Sequence, residues 1–295
     1  MKTPVICDLH GATDILDARW FHKKLLAYTG HWADGYFPVS KLLRTLLVHS
    51  MNKGRELFER DKNNTDDYDE RLLYFNVVDG GINPLDVNDS PHKRSDFGIP
   101  DDAFVVGWVG RLEEVKGCDQ LLDMVGFLRY GLNGVRIKKL HIVIVGSGSQ
   151  EDELKDMIKR QNLTNVTMVG FRDDAPKFYH LFDCFVSTCR SGWGMSLSSM
   201  YAFAAGIPVI TAYPIPDHEF GNGPNLRPYD PETPITLAIA LVEIYKDYEV
   251  NRKRVKDINT ATAHIIFNER VMIRNYLRYF KLLSNEHEPD YLQYR

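Results

Sequence analysis

Short apolar runs alternate with longer segments of helical character along residues 104–211. The apolar runs predict strands at 104–109, 140–145, 166–169, 184–187 and 207–211. The segments between them predict helices at 118–130, 151–161, 175–181 and 197–205. Nearly every position of these strands is apolar, which is typical of a parallel sheet covered by helices on both faces. The pattern therefore predicts an α/β fold in this part of the chain.

The first 80 residues carry a sparser version of the same pattern. Apolar runs predict strands at 5–9, 35–39 and 72–78, a helix is predicted over 41–59, and the polar stretch 60–69 is predicted to be an exposed loop. The turn at 79–84 contains Gly80, Gly81 and Pro84, so we place a domain boundary there. Near the other end, residues 271–283 predict an amphipathic helix followed by a polar tail. The expected parts of the chain are 1–83, 84–270 and 271–295.

Composition and charge narrow the functional classes. The 295 residues are 44% hydrophobic and 26% charged, as in ordinary globular proteins. A formal net charge of −4 gives no global positive field, so we expect no nucleic-acid partner and only a local anion site. No run approaches the roughly 18 apolar residues that a membrane span needs, although peripheral membrane contact stays open. The cysteines form no C-x-x-C pair, which favours a reducing, cytoplasmic location; they are Cys7, Cys118, Cys184 and Cys189.

The loops that follow the predicted strands carry the candidate chemistry. Ligands of parallel sheets bind beyond the carboxyl ends of the strands, and four such loops here are polar or glycine-rich, at 110–117, 146–149, 170–172 and 188–196. In the first loop, Arg111 and Lys116 lie beside glycines. A guanidinium can fork onto phosphate oxygens and an ammonium adds a point charge, so the loop predicts a diphosphate site.

Each of these short motifs also has a simpler interpretation. Arg111 and Lys116 alone are compatible with a solvated surface turn. The stretch 146–149 is compatible with a tight turn between a strand and a helix, in which Ser149 caps the helix and Asp152 returns the bond. The agreement of several loops at one sheet edge therefore weighs more than any one of them.

A set of segments, in this order along the chain, resembles the retaining nucleotide-sugar glycosyltransferases of the GT-B fold, namely the group 1 or family 4-like enzymes. The segments are Ile99–Leu112 with Lys116-Gly117, Ile142–Gly148, Val169–Phe171 and Ala202–Ile210. The likeness lies mainly in the carboxyl-terminal donor-binding domain. It implies a GT-B-like α/β fold in which this Rossmann-like sheet is complete. Only about 80 residues precede it, so the amino-terminal, acceptor-side half is expected to be incomplete.

The resemblance also implies roles for particular residues. Arg111 and Lys116 would hold the donor diphosphate and neutralise the leaving group without a metal, and His10 would orient the donor or stabilise the transition state. The residues expected to contact the donor are Gly110, Gly146, Gly170, Phe171, Ser191, Gly192, Trp193, Gly194, Met195, Ser196, Leu197, Ser199, Tyr201 and Glu219. Two alternatives stay open, because a lone histidine is often structural and Phe171 could belong to the core.

The chain departs from the family pattern at a pair of glutamates eight positions apart, which bind sugar and ribose hydroxyls. One alignment register puts Trp193 and Tyr201 at these places, and the other puts Ser191 and Ser199 there. Neither register supplies a carboxylate, and a hydroxyl accepts fewer and weaker hydrogen bonds from a sugar. Glu219, in the loop predicted at 213–228, is a candidate to compensate.

The expected activity is transfer of a sugar from a nucleoside-diphosphate sugar to a saccharide or related acceptor, with retention of configuration. No cofactor or metal is expected, because the nucleotide sugar is a substrate. Two alternatives are a non-catalytic relative that binds a nucleotide sugar or glycan, and one subunit of a split glycosyltransferase whose first half a partner chain completes. A Rossmann dinucleotide binder is disfavoured, because the 146–148 stretch lacks a third glycine and comes mid-sheet.

Overall fold

The computed structural model describes residues 6–9, 35–38, 74–75, 80–190, 195–212 and 225–283, with side chains over 80–190, 195–212 and 225–278. The chain divides into two compact units, one formed by 82–268 and the other by 1–81 with 269–295. The sequence placed these boundaries after residues 83 and 270. The helix predicted over 41–59 and the loop predicted at 60–69 lie outside the described residues.

The smaller unit contains a parallel sheet of three short strands. They are β1 (Ile6–Leu9), β2 (Gly35–Pro38) and β3 (Tyr74–Phe75), paired in that order. Each strand lies within a predicted apolar run, and Tyr74 and Phe75 of β3 pair with Gly35 and Tyr36 of β2. The predicted apolar runs therefore do contain strands, and these strands pair in parallel.

The larger unit is built on a six-stranded sheet in which every neighbouring pair is parallel. The strands are β4 (Phe104–Val109), β5 (Leu140–Val145), β6 (Val166–Gly170), β7 (Cys184–Ser187), β8 (Val209–Ala212) and β9 (Leu226–Tyr229). Their spatial order is β6-β5-β4-β7-β8-β9, so the chain builds outward from β4 and then reverses direction at β7. The predicted parallel α/β sheet is confirmed, and its switch point lies between β4 and β7.

Helices cover both faces of this sheet. They are α1 (Cys118–Leu128), α2 (Glu151–Arg160), α3 (Leu197–Ala204) and α4 (Ile235–Ile265), and α5 (Glu269–Leu283) follows in the smaller unit. Short 3-10 helices occupy 84–87, 94–97, 114–116 and 175–181. The sequence missed β9 and α4. The loop predicted at 213–228 is wrong at its end, because residues 226–228 belong to β9.

Alternating side chains of the strands enter two separate cores. On one face, Val106 of β4 packs with α1 and with the first half of α4. On the other face, Val105 packs with Phe178, Phe203 and the end of α4. These buried layers fix the strand positions, and hence the positions of the loops at the carboxyl edge.

Candidate functional site

The candidate site lies at the carboxyl ends of β4 and β7, which are neighbours in the sheet although many residues separate them in the chain. Loops at such a switch point diverge and leave a crevice, where ligands of open parallel sheets bind. The loop after β4 carries Arg111 and Lys116, and the loop after β7 carries Thr188, Cys189 and Arg190. The predicted location of the site therefore coincides with the switch point.

The loop after β4 is tied to the loop after β5 through Leu112. Its side chain is fully buried, its backbone N–H donates to the Ser147 carbonyl (2.9 Å), and its own carbonyl accepts from the Gln150 N–H (2.9 Å). The Gly146 N–H in turn donates to the Gly170 carbonyl at the end of β6 (2.8 Å). Three neighbouring strand ends thus form one hydrogen-bonded edge.

Two glycines make this edge possible. A Cβ on Gly146 would lie 1.9 Å from the Gly110 carbonyl oxygen, and a Cβ on Gly148 would lie 2.4 Å from that of Leu112. The capping interaction predicted for Ser149 is wrong, because α2 has Gln150 at its N-cap and no side chain caps it. The glycines of this stretch therefore serve the close approach of two loops, while their contact with a donor stays a prediction.

Thr188 joins the loop after β7 to the loop after β4. The buried Thr188 hydroxyl accepts from Trp108 Nε1 (2.8 Å) and donates to the Lys116 carbonyl (2.7 Å). Its carbonyl accepts from Gln120 Nε2 (3.4 Å), and Gln120 Oε1 accepts from the Tyr229 hydroxyl (3.0 Å). Burial raises the pKa of that Tyr229 hydroxyl, which therefore stays protonated and able to donate. The backbone of Lys116 is held by this buried network.

Arg190 makes a second connection between the same loops. Its Nη1 donates to the Glu114 carbonyl (2.6 Å), its Nη2 donates to Asp119 Oδ2 (2.5 Å), and its backbone N–H donates to the Val115 carbonyl (2.9 Å). The hydrogen bond with Asp119 raises the pKa of the Arg190 guanidinium. Arg190 is therefore a fixed cation that holds the 3-10 turn at 114–116.

The two predicted phosphate-binding cations differ in their surroundings. The Arg111 side chain is 72% exposed, and its Nη1 lies 2.6 Å from Glu113 Oε1. Exposed ion pairs of this kind contribute only about 0–1 kcal/mol, so an arriving anion can compete for the guanidinium. Lys116 is half-buried, and its Nζ lies 3.8 Å from Cys189 Sγ. Lys116 is thus held in place, whereas Arg111 is accessible from solvent.

The segment after β7 resumes at Met195 and enters α3. Ser196 caps the helix by accepting from the Ser199 N–H (3.1 Å), and the two hydroxyl oxygens lie 2.9 Å apart. Leu197, at the first position of the helix, is exposed. The Tyr201 hydroxyl donates to Asp86 Oδ2 (3.2 Å), an acidic neighbour that the sequence did not suggest.

Phe171 follows β6 directly and is 68% exposed, so the interpretation of this ring as a core residue is wrong. Gly170 before it has φ +82, a conformation that favours glycine. The aromatic face is therefore accessible beyond the carboxyl end of β6, and its contact with a nucleotide base stays a prediction.

Several predicted site residues lie outside the described residues and are not placed here; they are His10, Ser191, Gly192, Trp193, Gly194 and Glu219. The sequence predicted a site loop at 188–196 but did not single out Thr188 or Arg190 within it, and it did not suggest Asp119.

Over the part of the chain that the structure describes, no group of three or more His, Cys, Asp or Glu side chains is placed to hold a metal ion. Among the same residues, no helix has the length and apolar character required to cross a membrane. Cys118 and Cys184 are free and buried, and burial raises the pKa of both thiols. These two cysteines therefore serve the core.

Comparison with known proteins agrees with this geometry. Residues 103–247 match the family described as Glycosyl transferases group 1. This segment is a domain of that family, as the resemblance implied, and the fold is that of the GT-B glycosyltransferases.

Two individual relatives match this chain at low sequence identity and over part of its length. An uncharacterized glycosyltransferase of Methanocaldococcus jannaschii is 30% identical over 146 residues, which cover 46% of this chain and 35% of that protein. The lipopolysaccharide core biosynthesis glycosyltransferase LpsD of Rhizobium meliloti is 24% identical over 200 residues, covering 64% and 53%. The chain thus spans about a third to a half of the curated relatives that it matches.

Among solved structures, HepE of Anabaena in complex with UDP superimposes with a TM-score of 0.76 at 18% identity, covering 95% of this chain and 72% of that one. Sucrose-phosphate synthase of Thermosynechococcus elongatus gives a TM-score of 0.68 at 18% identity, covering 95% and 68%. At these identities the likeness shows the fold.

Proposed function

We propose that this chain transfers a sugar from a nucleoside-diphosphate sugar to a saccharide or related acceptor, with retention of configuration and without a metal ion. The observation that carries the proposal is the loop with Arg111 and Lys116, which is fastened to the loops after β5 and β7 at the switch point of the sheet. A lysine whose backbone is held and an accessible guanidinium there suit the diphosphate of such a donor.

The chemistry follows from where charge develops. When the bond between the sugar and the diphosphate breaks, negative charge builds on the departing phosphate oxygens. Cations held in place before the reaction stabilise this charge without reorganising. Lys116 is held by its backbone, and the exposed Arg111 can exchange its Glu113 partner for a phosphate oxygen. Both residues thus act on the leaving group.

We further propose a uridine nucleotide as the donor, supported by the UDP in the complex of the similar fold HepE. Phe171, exposed beyond β6, is our candidate for contact with the base. A cytoplasmic location is proposed from the free, buried thiols of Cys118 and Cys184. A protein partner that completes the acceptor side is an additional proposal.

The test is a donor panel. The purified chain is incubated with UDP-, GDP- and ADP-sugars, with and without saccharide acceptors and with a chelator, and release of the nucleoside diphosphate is measured. We expect turnover with one nucleotide class, undiminished by the chelator, and an anomeric configuration in the product that equals that of the donor. Inversion of the anomeric centre, or loss of activity on chelation, would contradict the corresponding part of the proposal.

The double variant Arg111→Ala with Lys116→Ala tests the residues themselves. We expect its affinity for the nucleoside diphosphate to fall at least a hundredfold in calorimetry, because each cation lost removes a charge-assisted contact. Lys253→Ala is the control, since Lys253 is an exposed cation on α4 whose side chain pairs only with Asp257 one turn away among the described residues. Unchanged affinity in the double variant would refute the assignment.

A second candidate function is a non-catalytic relative that binds a nucleotide sugar. It is favoured by the side chains at the family's glutamate positions, since the Ser199 hydroxyl is bonded to Ser196 and the Tyr201 hydroxyl to Asp86. Saturable binding of the donor without turnover, also after addition of any chain that co-purifies, would select this function.

A further inference from the structure

We infer that Arg190 and Asp119 form a clamp that positions Lys116 for the diphosphate, and that Arg190 is not itself a phosphate ligand. The inference rests on the proposed function and assigns the arginine at this sheet edge a different role from that of Arg111. The clamp consists of the Arg190–Asp119 ion pair, the hydroxyl of Thr188 and the 3-10 turn at 114–116 that they hold.

Three consecutive carbonyls of the turn are bonded by the loop after β7. The Glu114 carbonyl accepts from Arg190 Nη1, the Val115 carbonyl from the Arg190 N–H, and the Lys116 carbonyl from the Thr188 hydroxyl. The distances are 2.6, 2.9 and 2.7 Å. A turn bonded at every successive carbonyl cannot rotate without breaking several hydrogen bonds. The loop after β7 therefore fixes the Lys116 backbone and with it the direction of the Cα–Cβ bond, and Cys189 of the same loop contacts the Lys116 ammonium.

Asp119 fixes the position of the guanidinium. It lies in the first turn of α1, so its carboxylate is carried by a helix and not by a loop. Gly117 connects this helix to the turn with φ +64, and a Cβ there would lie 2.4 Å from the Thr188 carbonyl oxygen. The start of α1, the turn and the loop after β7 are thus packed against one another, and Lys116 is the last residue of this turn.

The contacts of Arg190 argue against a direct role with phosphate. Both terminal nitrogens of the guanidinium already donate to protein oxygens, and the partner Asp119 is an anion that would repel a phosphate. Arg111, in contrast, is 72% exposed and has only the half-buried Glu113 as an ion-pair partner among the described residues. Arg190 therefore holds the loop, and Arg111 contacts the ligand.

The variant Asp119→Asn separates the two roles. It removes the anionic partner and leaves the Arg190 charge in place, so a direct phosphate ligand would gain affinity for the anion, whereas a clamp would lose it. We expect the dissociation constants for UDP and inorganic pyrophosphate, measured by calorimetry on the full chain, to rise about tenfold. An unchanged or smaller dissociation constant would overturn the clamp.

Arg190→Ala and the double variant with Asp119→Asn complete a cycle. Since both residues act through one contact, we expect the double variant to bind UDP and pyrophosphate no more weakly than Arg190→Ala alone. Thr188→Val should also weaken binding, and Thr188→Ser, which keeps the hydroxyl, should restore it. Lys155→Ala, which breaks an exposed ion pair with Glu151 on α2, is the matched control. Additive losses, or equal losses in the two Thr188 variants, would contradict the inference.

Hydrogen exchange of the ligand-free chain keeps the inference testable if no nucleotide binds. The Lys116 and Gly117 amides donate within the turn, to the Glu113 and Glu114 carbonyls (2.8 and 3.0 Å). We expect their exchange to accelerate at least tenfold in Asp119→Asn and Arg190→Ala while the melting temperature changes little. Unchanged exchange refutes the clamp itself. Accelerated exchange in a chain that binds none of UDP, GDP, ADP and pyrophosphate supports the clamp and refutes the proposed function.

Discussion

At the scale of single residues, glycines shape the loops of the candidate site as much as the polar side chains do. From the sequence, Gly146 was predicted to contact the donor, with a tight local turn as the alternative. Its actual neighbour is the Gly110 carbonyl on another strand end, and no residue pattern encodes which backbone atom lies nearby. Thr188 and Arg190 lie in the predicted loop at 188–196, but their roles were not predicted for the same reason, since their partners are distant carbonyls.

Gly146→Ala should therefore destabilise the fold far more than a glycine substitution at an open position. Its Cβ would overlap the Gly110 oxygen, and φ is +140, so we expect a loss of more than about 3 kcal/mol in the free energy of unfolding. Gly134→Ala is the control, with φ +74 and open space, where about 1–2 kcal/mol is expected. Urea denaturation measures both, and equal losses would show that the loops can separate to admit a methyl group.

At the scale of elements, the sequence predicts the strands whose residues are uniformly apolar and misses helices and strands without such a pattern. The predicted bounds of β5 and β7 agree with the structure to the residue, because these strands are buried on both faces. The long helix α4 was missed because its apolar face changes: residues 237–244 enter one core, and Ala263 enters the other. β9, with Pro228 at an edge of the sheet, is the kind of strand that apolar patterns conceal.

One buried group on β5 gives a pH dependence. His141 is buried with Nε2 2.8 Å from Thr167 Oγ1 on β6, and burial lowers its pKa below the ordinary value of about 6.5. Below that value the unfolded chain binds a proton that the folded chain rejects until lower pH. The stability that the neutral imidazole contributes is therefore complete at neutral pH and is lost as the pH falls through 6.5 toward the lowered pKa.

His141→Gln should flatten this dependence. We expect the difference in unfolding free energy between pH 7.5 and pH 5 to be smaller in the variant than in the unaltered chain, as measured by urea denaturation at each pH. His264→Gln, at an exposed position of α4, should leave the difference unchanged. A variant as pH-dependent as the parent would show that other groups govern the acid response.

At the scale of the whole molecule, the chain passes from one unit to the other at two points, after residue 81 and after residue 268. Ile82 and Asn268, the ends of the larger unit, form a parallel bridge, and the Ile82 N–H donates to the Phe267 carbonyl (2.8 Å). The two ends of the larger unit are therefore paired with each other, and this unit contains both buried cores. From the sequence, only the approximate boundary was predictable, since a bridge between residues so far apart leaves no local pattern.

A fragment of residues 82–268 should consequently fold alone. We expect a single cooperative thermal transition by circular dichroism and an affinity for UDP within about tenfold of that of the full chain, but no transfer to an acceptor. The full chain with Lys155→Ala serves as the reference for a change that should affect neither property. A fragment without a cooperative transition would mean that the larger unit depends on the smaller one.

The clamp on Lys116 also has a consequence for synthesis on the ribosome. The hydroxyl that bonds the Lys116 carbonyl comes from a residue 72 positions later in the chain. A nascent polypeptide that ends before Thr188 contains Lys116 but lacks the residues of the clamp that hold its backbone. Because contacts between distant residues form late and slowly, the ability to capture nucleotide should arrive only with the completed β4–β7 pairing, which makes ligand capture a reporter of finished folding.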